Sequence, residues 1–221
     1  MRLTRRRLER ARNDEGFTLI EMVLTVAILG IVAVAMFGIV LQYLKVTGAA
    51  QTRMSESTDQ QFISTYWQND VSSLGRRAFN PGNADPVPSL QSVYVGSSGP
   101  DGCGTSVGTV VVAFAWVDYT VNAPNPANAW SGTTQEVAYV RVGSGAPYVL
   151  KRVRCKGGVQ SDSLTVAHNL TGTPTITCDT TCTAATAPNR VSMQFTVRDT
   201  SDPRGINTGY TTTVSADRRQ G

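Results

Sequence analysis

The sequence predicts an α+β protein in which a long N-terminal α-helix packs against a C-terminal head with an antiparallel β-sheet. Three observations predict this fold. Residues 22–41 contain no charged side chain and follow a basic segment. An amphipathic pattern continues from there to residue 74, and from residue 81 onward short β-rich runs alternate with turn-forming residues. The 221 residues are enough for one medium domain plus an appendage.

The positive charge of the chain is concentrated at its N-terminus. The formal net charge is +4, and residues 1–16 hold six arginines against three acidic residues. Residues 17–221 carry 14 basic and 13 acidic side chains, so this part is nearly neutral. Lys and Arg favour the cytoplasmic side of a membrane segment, whereas a nucleic-acid-binding domain has a basic face of its own. We therefore predict a membrane topology signal and no nucleic-acid contact.

The uncharged run 22–41 is long enough to cross a bilayer. A helix of this length spans roughly 30 Å, which is the thickness of the hydrocarbon core. Three interpretations of the first 44 residues are open. A secretory signal cut after Ala35 would leave part of the apolar run on the mature chain. An uncut anchor explains the charge asymmetry but gives no role to Glu21, a carboxylate beside the run.

The stretch Gly16-Phe17-Thr18-Leu19-Ile20-Glu21 favours the third interpretation. It resembles the cleavage motif of type IV prepilins and of related subunits in type II secretion and DNA-uptake machines. The resemblance implies that residues 1–16 are a leader peptide and that a prepilin peptidase cuts between Gly16 and Phe17. The same enzyme, a methyltransferase as well, would then methylate the new amine of Phe17. Because the cut precedes the apolar run, residues 17–44 remain as the transmembrane and assembly half of the helix.

Glu21 gains a role in this interpretation. A carboxylate in hydrocarbon is costly unless a cation pairs with it, and cleavage supplies a new cation at Phe17. The resemblance implies that Glu21 pairs with the N-terminal amine of a neighbouring subunit during filament assembly. The alternative is that Glu21 lies unpaired at the cytoplasmic interface.

The helix is predicted to continue beyond the membrane segment. Residues 45–75 form an amphipathic half that ends at Gly75, so one helix is expected over residues 17–74. The side chains expected in the core under the head are Met54, Phe62, Ile63, Tyr66, Trp67, Val71 and Leu74. Residues 76–221 form the β-rich head, and this combination is the pilin fold that the resemblance implies.

The head is predicted to form an antiparallel sheet. The candidate strands are residues 90–95, 109–119, 136–142, 148–155, 163–167, 190–198 and 209–215. Turns are expected at 98–102, 122–128, 143–147 and 201–205, and a mobile loop at 78–89. Apolar residues alternate with polar ones over 191–198, which predicts a strand with one buried face.

Four cysteines lie in the predicted exported part, at Cys103, Cys155, Cys178 and Cys182. An even number in an oxidising compartment favours disulfides, and four cysteines allow three connectivities. We favour Cys103–Cys155 together with Cys178–Cys182. The spacing of the second pair also fits zinc, but neither a second close pair nor a nearby histidine completes a tetrahedral set. No metal site is therefore predicted.

The sequence predicts no catalytic residue and no cofactor. His168 is the single histidine, and we expect it to lie at a strand edge with a bond to the backbone. The glycines do not form a phosphate-binding loop. Asp199 and Asp202 are expected to be turn residues rather than calcium ligands.

These features indicate a minor pilin or pseudopilin that helps to initiate a type IV pilus-like or type II secretion-like filament at its tip. The head loosely resembles PilW-like or J-type minor subunits over residues 137–140, 148–152 and 166–169. The implied partners are the prepilin peptidase, other pilin or pseudopilin subunits, an inner-membrane assembly platform and the lipid bilayer. The chain would be a single-pass inner-membrane protein with its head outside the cytoplasm, and later part of a pilus or periplasm-spanning filament.

Two functions from other classes remain as alternatives. The first is an envelope adhesin or receptor on an uncleaved membrane anchor, for which loop aromatics such as Trp130 would provide a surface. The second is an exported enzyme.

Overall fold

The structure, a computed structural model, describes residues 16–77, 89–121, 130–198 and 209–219. The chain divides into two compact units, Met1–Gln51 and Thr52–Gly221. This boundary lies inside the predicted amphipathic half, residues 45–75. The predicted leader, residues 1–16, lies outside the described residues except for Gly16.

A single α-helix, α1, spans Leu19–Ser72. The prediction of one uninterrupted helix is confirmed, although the helix begins two residues after Phe17 and ends two residues before Leu74. The end follows from the backbone at Gly75, whose φ of 146° favours glycine and stops the helical path. Up to Gln51 the helix belongs to the first unit, and its described apolar side chains there are exposed.

The second unit contains the antiparallel sheet that the sequence predicts. The strands are β1 (Arg76–Arg77), β2 (Ser89–Leu90), β3 (Val93–Val95), β4 (Thr109–Val121), β5 (Trp130–Val142), β6 (Tyr148–Lys156), β7 (Val159–Leu170), β8 (Thr175–Cys178), β9 (Arg190–Val197) and β10 (Tyr210–Asp217). Among the described residues, β1 and β2 form a two-stranded sheet, and the others form an eight-stranded sheet in the order β10-β9-β7-β6-β5-β4-β3. Strand β8 pairs with β9 beside this path.

The larger core lies between the second half of α1 and one face of the sheet. The helix contributes Ile63, Trp67 and Val71, and Leu74 joins them just after the helix ends. The ring of Trp67 meets those of Phe114 and Tyr139 edge to face at centroid distances of 5.0 and 5.1 Å. Such aromatic pairs stabilise a core beyond the area they bury. The Nε1 of Trp67 also donates to the carbonyl of Val191 at 3.0 Å, so its polar atom is paired.

Two helix residues expected in this core are exposed. Met54 is 73% exposed and Phe62 is 50% exposed, so the prediction that they are buried is wrong. The helix turns by about 100° per residue. Met54 precedes Ile63 by nine residues and so points to the opposite side of the helix, while Phe62 points about 100° away from Ile63. Tyr66 is only partly buried.

A second, smaller core lies on the other face of the sheet, because successive residues of a strand alternate between its faces. Tyr139 of β5 contributes to the first core, whereas its neighbours Ala138 and Val140 join Cys103, Val110, Ala113, Val153 and Cys155 in the second. The loop between β3 and β4 covers this face.

The predicted strands agree with the structure better in their positions along the chain than in their lengths. The alternation in β9 is confirmed, with Val191, Met193, Phe195 and Val197 buried. Strands β1 and β8 were not predicted, and β5 begins six residues earlier than expected. Trp130 is therefore a strand residue opposite Val121 rather than a loop aromatic. Most of the predicted loop 78–89 and the turns 122–128 and 201–205 lie outside the described residues, and Ser89 lies in β2.

Candidate processing and assembly site

The predicted cleavage residues lie directly before α1. Gly16 is exposed and Phe17 is 77% exposed, so the described part of this segment leaves the Gly16–Phe17 bond accessible to solvent. No described atom lies within 4 Å of a Cβ built on Gly16. Accessible backbone is what a peptidase requires, because the scissile segment must extend inside the enzyme's cleft.

Glu21 lies in the first turn of α1 and is exposed. The Thr18 carbonyl accepts hydrogen bonds from the N–H groups of Glu21 at 3.0 Å and Met22 at 3.2 Å. Thr18 is thus the N-cap residue and Glu21 occupies position N3, which is the spacing of a capping box. A carboxylate at this end is also stabilised by the helix dipole. The T-x-x-E spacing of the sequence is the signal for this structural role of Glu21.

The residues after Glu21 form an apolar surface. Within the described residues, one helical stretch is long and apolar enough to cross a membrane, Leu19–Gly48, with mean hydropathy 2.8 and no burial. Its two threonine hydroxyls donate to its own backbone, Thr25 to the Met22 carbonyl at 2.9 Å and Thr47 to the Tyr43 carbonyl at 2.8 Å. In lipid such internal bonds are needed, since no water is available. The segment is consistent with membrane anchoring.

Gly30 and Gly38 lie on this apolar surface. A Cβ built on either residue has no described atom within 4 Å. Glycine allows a neighbouring helix to approach the backbone closely, and this is a common arrangement between helices in membranes. The surface of the segment therefore offers close contact to another helix at two places.

Comparison with known families supports this description of the N-terminal residues. The family model of the prokaryotic N-terminal methylation motif matches residues 11–37, which include Gly16, Phe17, Glu21 and the start of the apolar helix. This chain carries the N-terminal methylation motif that is characteristic of type IV pilins and pseudopilins. The motif implies processing by a prepilin peptidase and assembly with other pilin subunits. No curated protein and no solved structure matches the chain.

The cysteines of the head form two disulfides. Cys103 bonds to Cys155 across 52 positions, and Cys178 bonds to Cys182 across four. This is the connectivity that we favoured from the sequence. All four thiols are therefore engaged, and zinc ligation by Cys178 and Cys182 is excluded in this state. Among the residues that the structure describes, no group of three or more His, Cys, Asp or Glu side chains could hold a metal ion. Asp199 and Asp202 lie outside that part of the chain.

A buried carboxylate supports the loop that carries Cys103. Glu136 is fully buried, and its Oε1 accepts the Asp101 N–H at 2.7 Å while its Oε2 accepts the Cys103 N–H at 3.1 Å. Cys155 lies directly opposite Glu136 in the β5–β6 pairing. Burial raises the pKa of Glu136 above its ordinary value, although the two N–H donors act in the opposite direction. Glu136 was not predicted from the sequence, because a lone acidic residue in a strand carries no recognisable signal.

His168 contacts a side chain rather than the backbone. The backbone N–H of His168 donates to Asp59 Oδ2 at 2.9 Å, and the ring Nδ1 lies 3.2 Å from the same oxygen. The expected bond to the backbone is therefore wrong, because α1 brings Asp59 beside β7. The contact attaches the helix to the sheet, as does the bond from Gln60 Nε2 to Thr212 Oγ1 at 3.0 Å. Neither arrangement resembles a hydrolytic triad.

Proposed function

We propose that this chain is a minor pilin or pseudopilin, a structural subunit of a type IV pilus-like or type II secretion-like filament. A prepilin peptidase cleaves the precursor between Gly16 and Phe17 and methylates the new amine of Phe17. The mature chain, beginning at Phe17, enters the filament through its N-terminal helix. Its direct partners are the peptidase, the bilayer, the inner-membrane assembly platform and the helices of other pilin or pseudopilin subunits.

One observation carries the proposal. The methylation motif at residues 11–37 overlaps the start of a helix whose apolar side chains are entirely exposed from Leu19 to Gly48. A cut before this helix leaves it on the mature chain, whereas a secretory cut would remove most of it. Exposed apolar surface of this extent is stable in a bilayer or against other apolar helices. A pilin subunit meets both environments, the bilayer before assembly and the helices of other subunits in the filament.

Glu21 draws each incoming subunit into register. Its carboxylate pairs with the methylated amine of Phe17 on a neighbouring subunit, and both charges are thereby neutralised within the apolar helix layer. The same side chain lies at position N3 after Thr18, which is the spacing of a capping box. A test must therefore separate the effect of the charge from that of the cap.

Glutamine provides this separation, because it retains the capping-box geometry and removes the charge. We expect Glu21→Gln, Glu21→Ala and Glu21→Val all to be cleaved after Gly16 and all to lose filament incorporation. Incorporation is measured by immunoblotting sheared filaments against the membrane fraction in the native organism. Normal incorporation of the Val or Gln variant would contradict the pairing role, and defects in Ala and Val beside a normal Gln variant would assign Glu21 to the cap.

We further propose that the subunit lies at the filament tip and helps to initiate assembly. This proposal rests on the resemblance of the head to minor subunits over residues 137–140, 148–152 and 166–169. Immunogold labelling of an epitope placed in the head tests this position. Labels confined to one end support the tip, whereas labels along the shaft contradict it.

A further inference from the structure

Strand β10 forms one edge of the eight-stranded sheet. Among the described residues, β9 is the one strand that pairs with it, through eight consecutive pairs from Tyr210 opposite Val197 to Asp217 opposite Arg190. The outer side of an edge strand presents backbone N–H and C=O groups that can pair with another chain. The outer side of β10 is therefore a candidate interaction surface.

Among the described residues, the first and last strands of the order β10-β9-β7-β6-β5-β4-β3 differ in how open they are to pairing with another chain. Strand β3, at the other edge, has three residues and is followed by Gly96, whose φ of 67° turns the backbone away. Short edge strands, prolines, lysines and bulges are the usual means by which proteins prevent edge pairing. Strand β10 has eight residues, includes neither proline nor lysine, and pairs with β9 without a register shift. Of these two strands, β3 is protected against pairing and β10 is suited to it.

The side chains of β10 are suited to an antiparallel neighbour. On its exposed face, the Ser215 hydroxyl lies 2.8 Å from that of Ser192, and the Thr211 hydroxyl lies 2.8 Å from that of Thr196. Cross-strand pairs of Thr and Ser stabilise antiparallel sheets. Each hydroxyl has one donor and two acceptor positions, so it can join a second such pair on its other side.

We propose that β10 pairs antiparallel with β10 of a second copy of this chain, around a two-fold axis at Thr213. This register places Thr213 opposite itself and Thr211 opposite Ser215 of the second copy, so that hydroxyl groups face each other as they do between β9 and β10. On the other face, Val214 lies opposite Thr212. The two Asp217 carboxylates lie at opposite ends of the pairing, so like charges do not face each other. The contact is self-complementary and closes as a dimer.

The pairing involves the head and does not require cleavage after Gly16, so it is tested independently of the proposed function. Thr213→Cys places two thiols opposite each other at the axis, while the four native cysteines remain in their disulfides. The matched control is Thr177→Cys in β8, an exposed residue on the same face that lies opposite Ser192. The full-length variants are oxidised in membranes and separated by electrophoresis without reductant.

We expect a band of twice the monomer mass for Thr213→Cys and none for Thr177→Cys. Equal cross-linking of the two variants, or none for Thr213→Cys, would overturn the pairing. An adduct of another mass would identify a different partner and also overturn it.

In a second measurement, sedimentation of the full-length protein in detergent should show a dimer for the wild type and for Thr177→Lys. Thr213→Lys should be monomeric, because two lysines then face each other at the axis.

Discussion

Asp70 of α1 binds Arg152 of β6 through both carboxylate oxygens inside the head. Its Oδ1 lies 2.6 Å from an Nη of Arg152, and its Oδ2 accepts Nε–H at 2.8 Å and the Tyr139 hydroxyl at 2.8 Å. Asp70 is 3% exposed and Arg152 is 7% exposed. The guanidinium also lies over the Tyr66 ring, 4.9 Å from its centroid. One carboxylate thus joins the helix to two neighbouring strands.

The first prediction concerns this ion pair. Replacing Asp70 with Ala should lower the free energy of unfolding of the head by about 3–5 kcal/mol, because a buried guanidinium loses its partner. The measurement is urea denaturation of the full-length protein, followed by the fluorescence of its tryptophans. Asp70→Asn tests the charge at nearly constant volume and should also destabilise the head.

The exposed ion pair between Arg190 and Asp217 provides the control. Its Nε–Oδ1 distance is 2.7 Å, similar to the buried contacts, but both side chains are more than half exposed to water. Exposed pairs contribute little, because water and salt screen the charges. Asp217→Ala should leave the denaturation midpoint unchanged. Equal effects of Asp217→Ala and Asp70→Ala would refute the role assigned to burial.

The second prediction concerns Gly99, which lies against the carboxylate of Glu136. A Cβ built on Gly99 would lie 2.6 Å from Oε1, closer than atoms can approach. Gly99→Ala should therefore lower the free energy of unfolding of the head by about 1–3 kcal/mol, as overpacking of a core does. Gly172→Ala should leave the free energy of unfolding nearly unchanged, because no described atom lies within 4 Å of a Cβ built on Gly172.

Removing the carboxylate tests the cause of this cost. In the background of Glu136→Ala, the additional loss from Gly99→Ala should be much smaller, which a double-mutant cycle measures. Strict additivity of the two substitutions would mean that the strain at Gly99 has another source.

The third prediction is a pH dependence that arises from Glu136. Because burial raises the pKa of this carboxyl above its ordinary value of 4.5, the folded chain holds the proton where the unfolded chain has released it. The contribution of Glu136 to stability is therefore full below pH 4.5 and decreases as the pH rises through the folded-state pKa. Any contribution of Asp217 changes at lower pH, because its hydrogen bond with Arg190 lowers the pKa of this carboxyl below 3.8.

Glu136→Gln should remove this slope, whatever its effect on stability at a single pH. Urea denaturation between about pH 4 and pH 7 compares the two slopes, in a range where free carboxyl groups ionise. A variant with the same slope as the wild type would show that another group is responsible.

The fourth prediction ranks the two disulfides. By loop-closure entropy, a bond across 52 positions stabilises by about 4 kcal/mol, and one across four positions by about 2 kcal/mol. The double variant Cys103→Ala with Cys155→Ala should therefore lose more stability than Cys178→Ala with Cys182→Ala. Thermal unfolding of the two double variants provides the comparison, and the reverse ranking would contradict it.

The long helix and the buried strands were predictable because their patterns are local. The uncharged run and the alternation of β9 both appear in a short window of sequence. Strand β7 was predicted only over residues 163–167, because its first residues are exposed on both faces and show no alternation. These first residues of β7 adopt a strand conformation because they pair with β6. Strand β8 is short and largely exposed, and it exists through its pairing with β9.

The processing and assembly site was predictable from the sequence, whereas the buried polar contacts of the head were not. Gly16, Phe17 and Glu21 form a compact motif, so sequence alone selects them, and the family match covers the same residues. Asp70, Arg152 and Glu136 gave no local signal, because their partners are distant in sequence. Only the folded chain brings a helix carboxylate to a guanidinium 82 positions away.

The central claim is that proteolysis after Gly16 creates the mature N-terminus. Mass spectrometry of the protein isolated from the envelope of the native organism tests it most directly. The account predicts an N-terminal peptide that begins with N-methylated Phe17. A peptide that retains the arginine-rich residues 1–16, or one that begins at Met36 after a secretory cut, would contradict it.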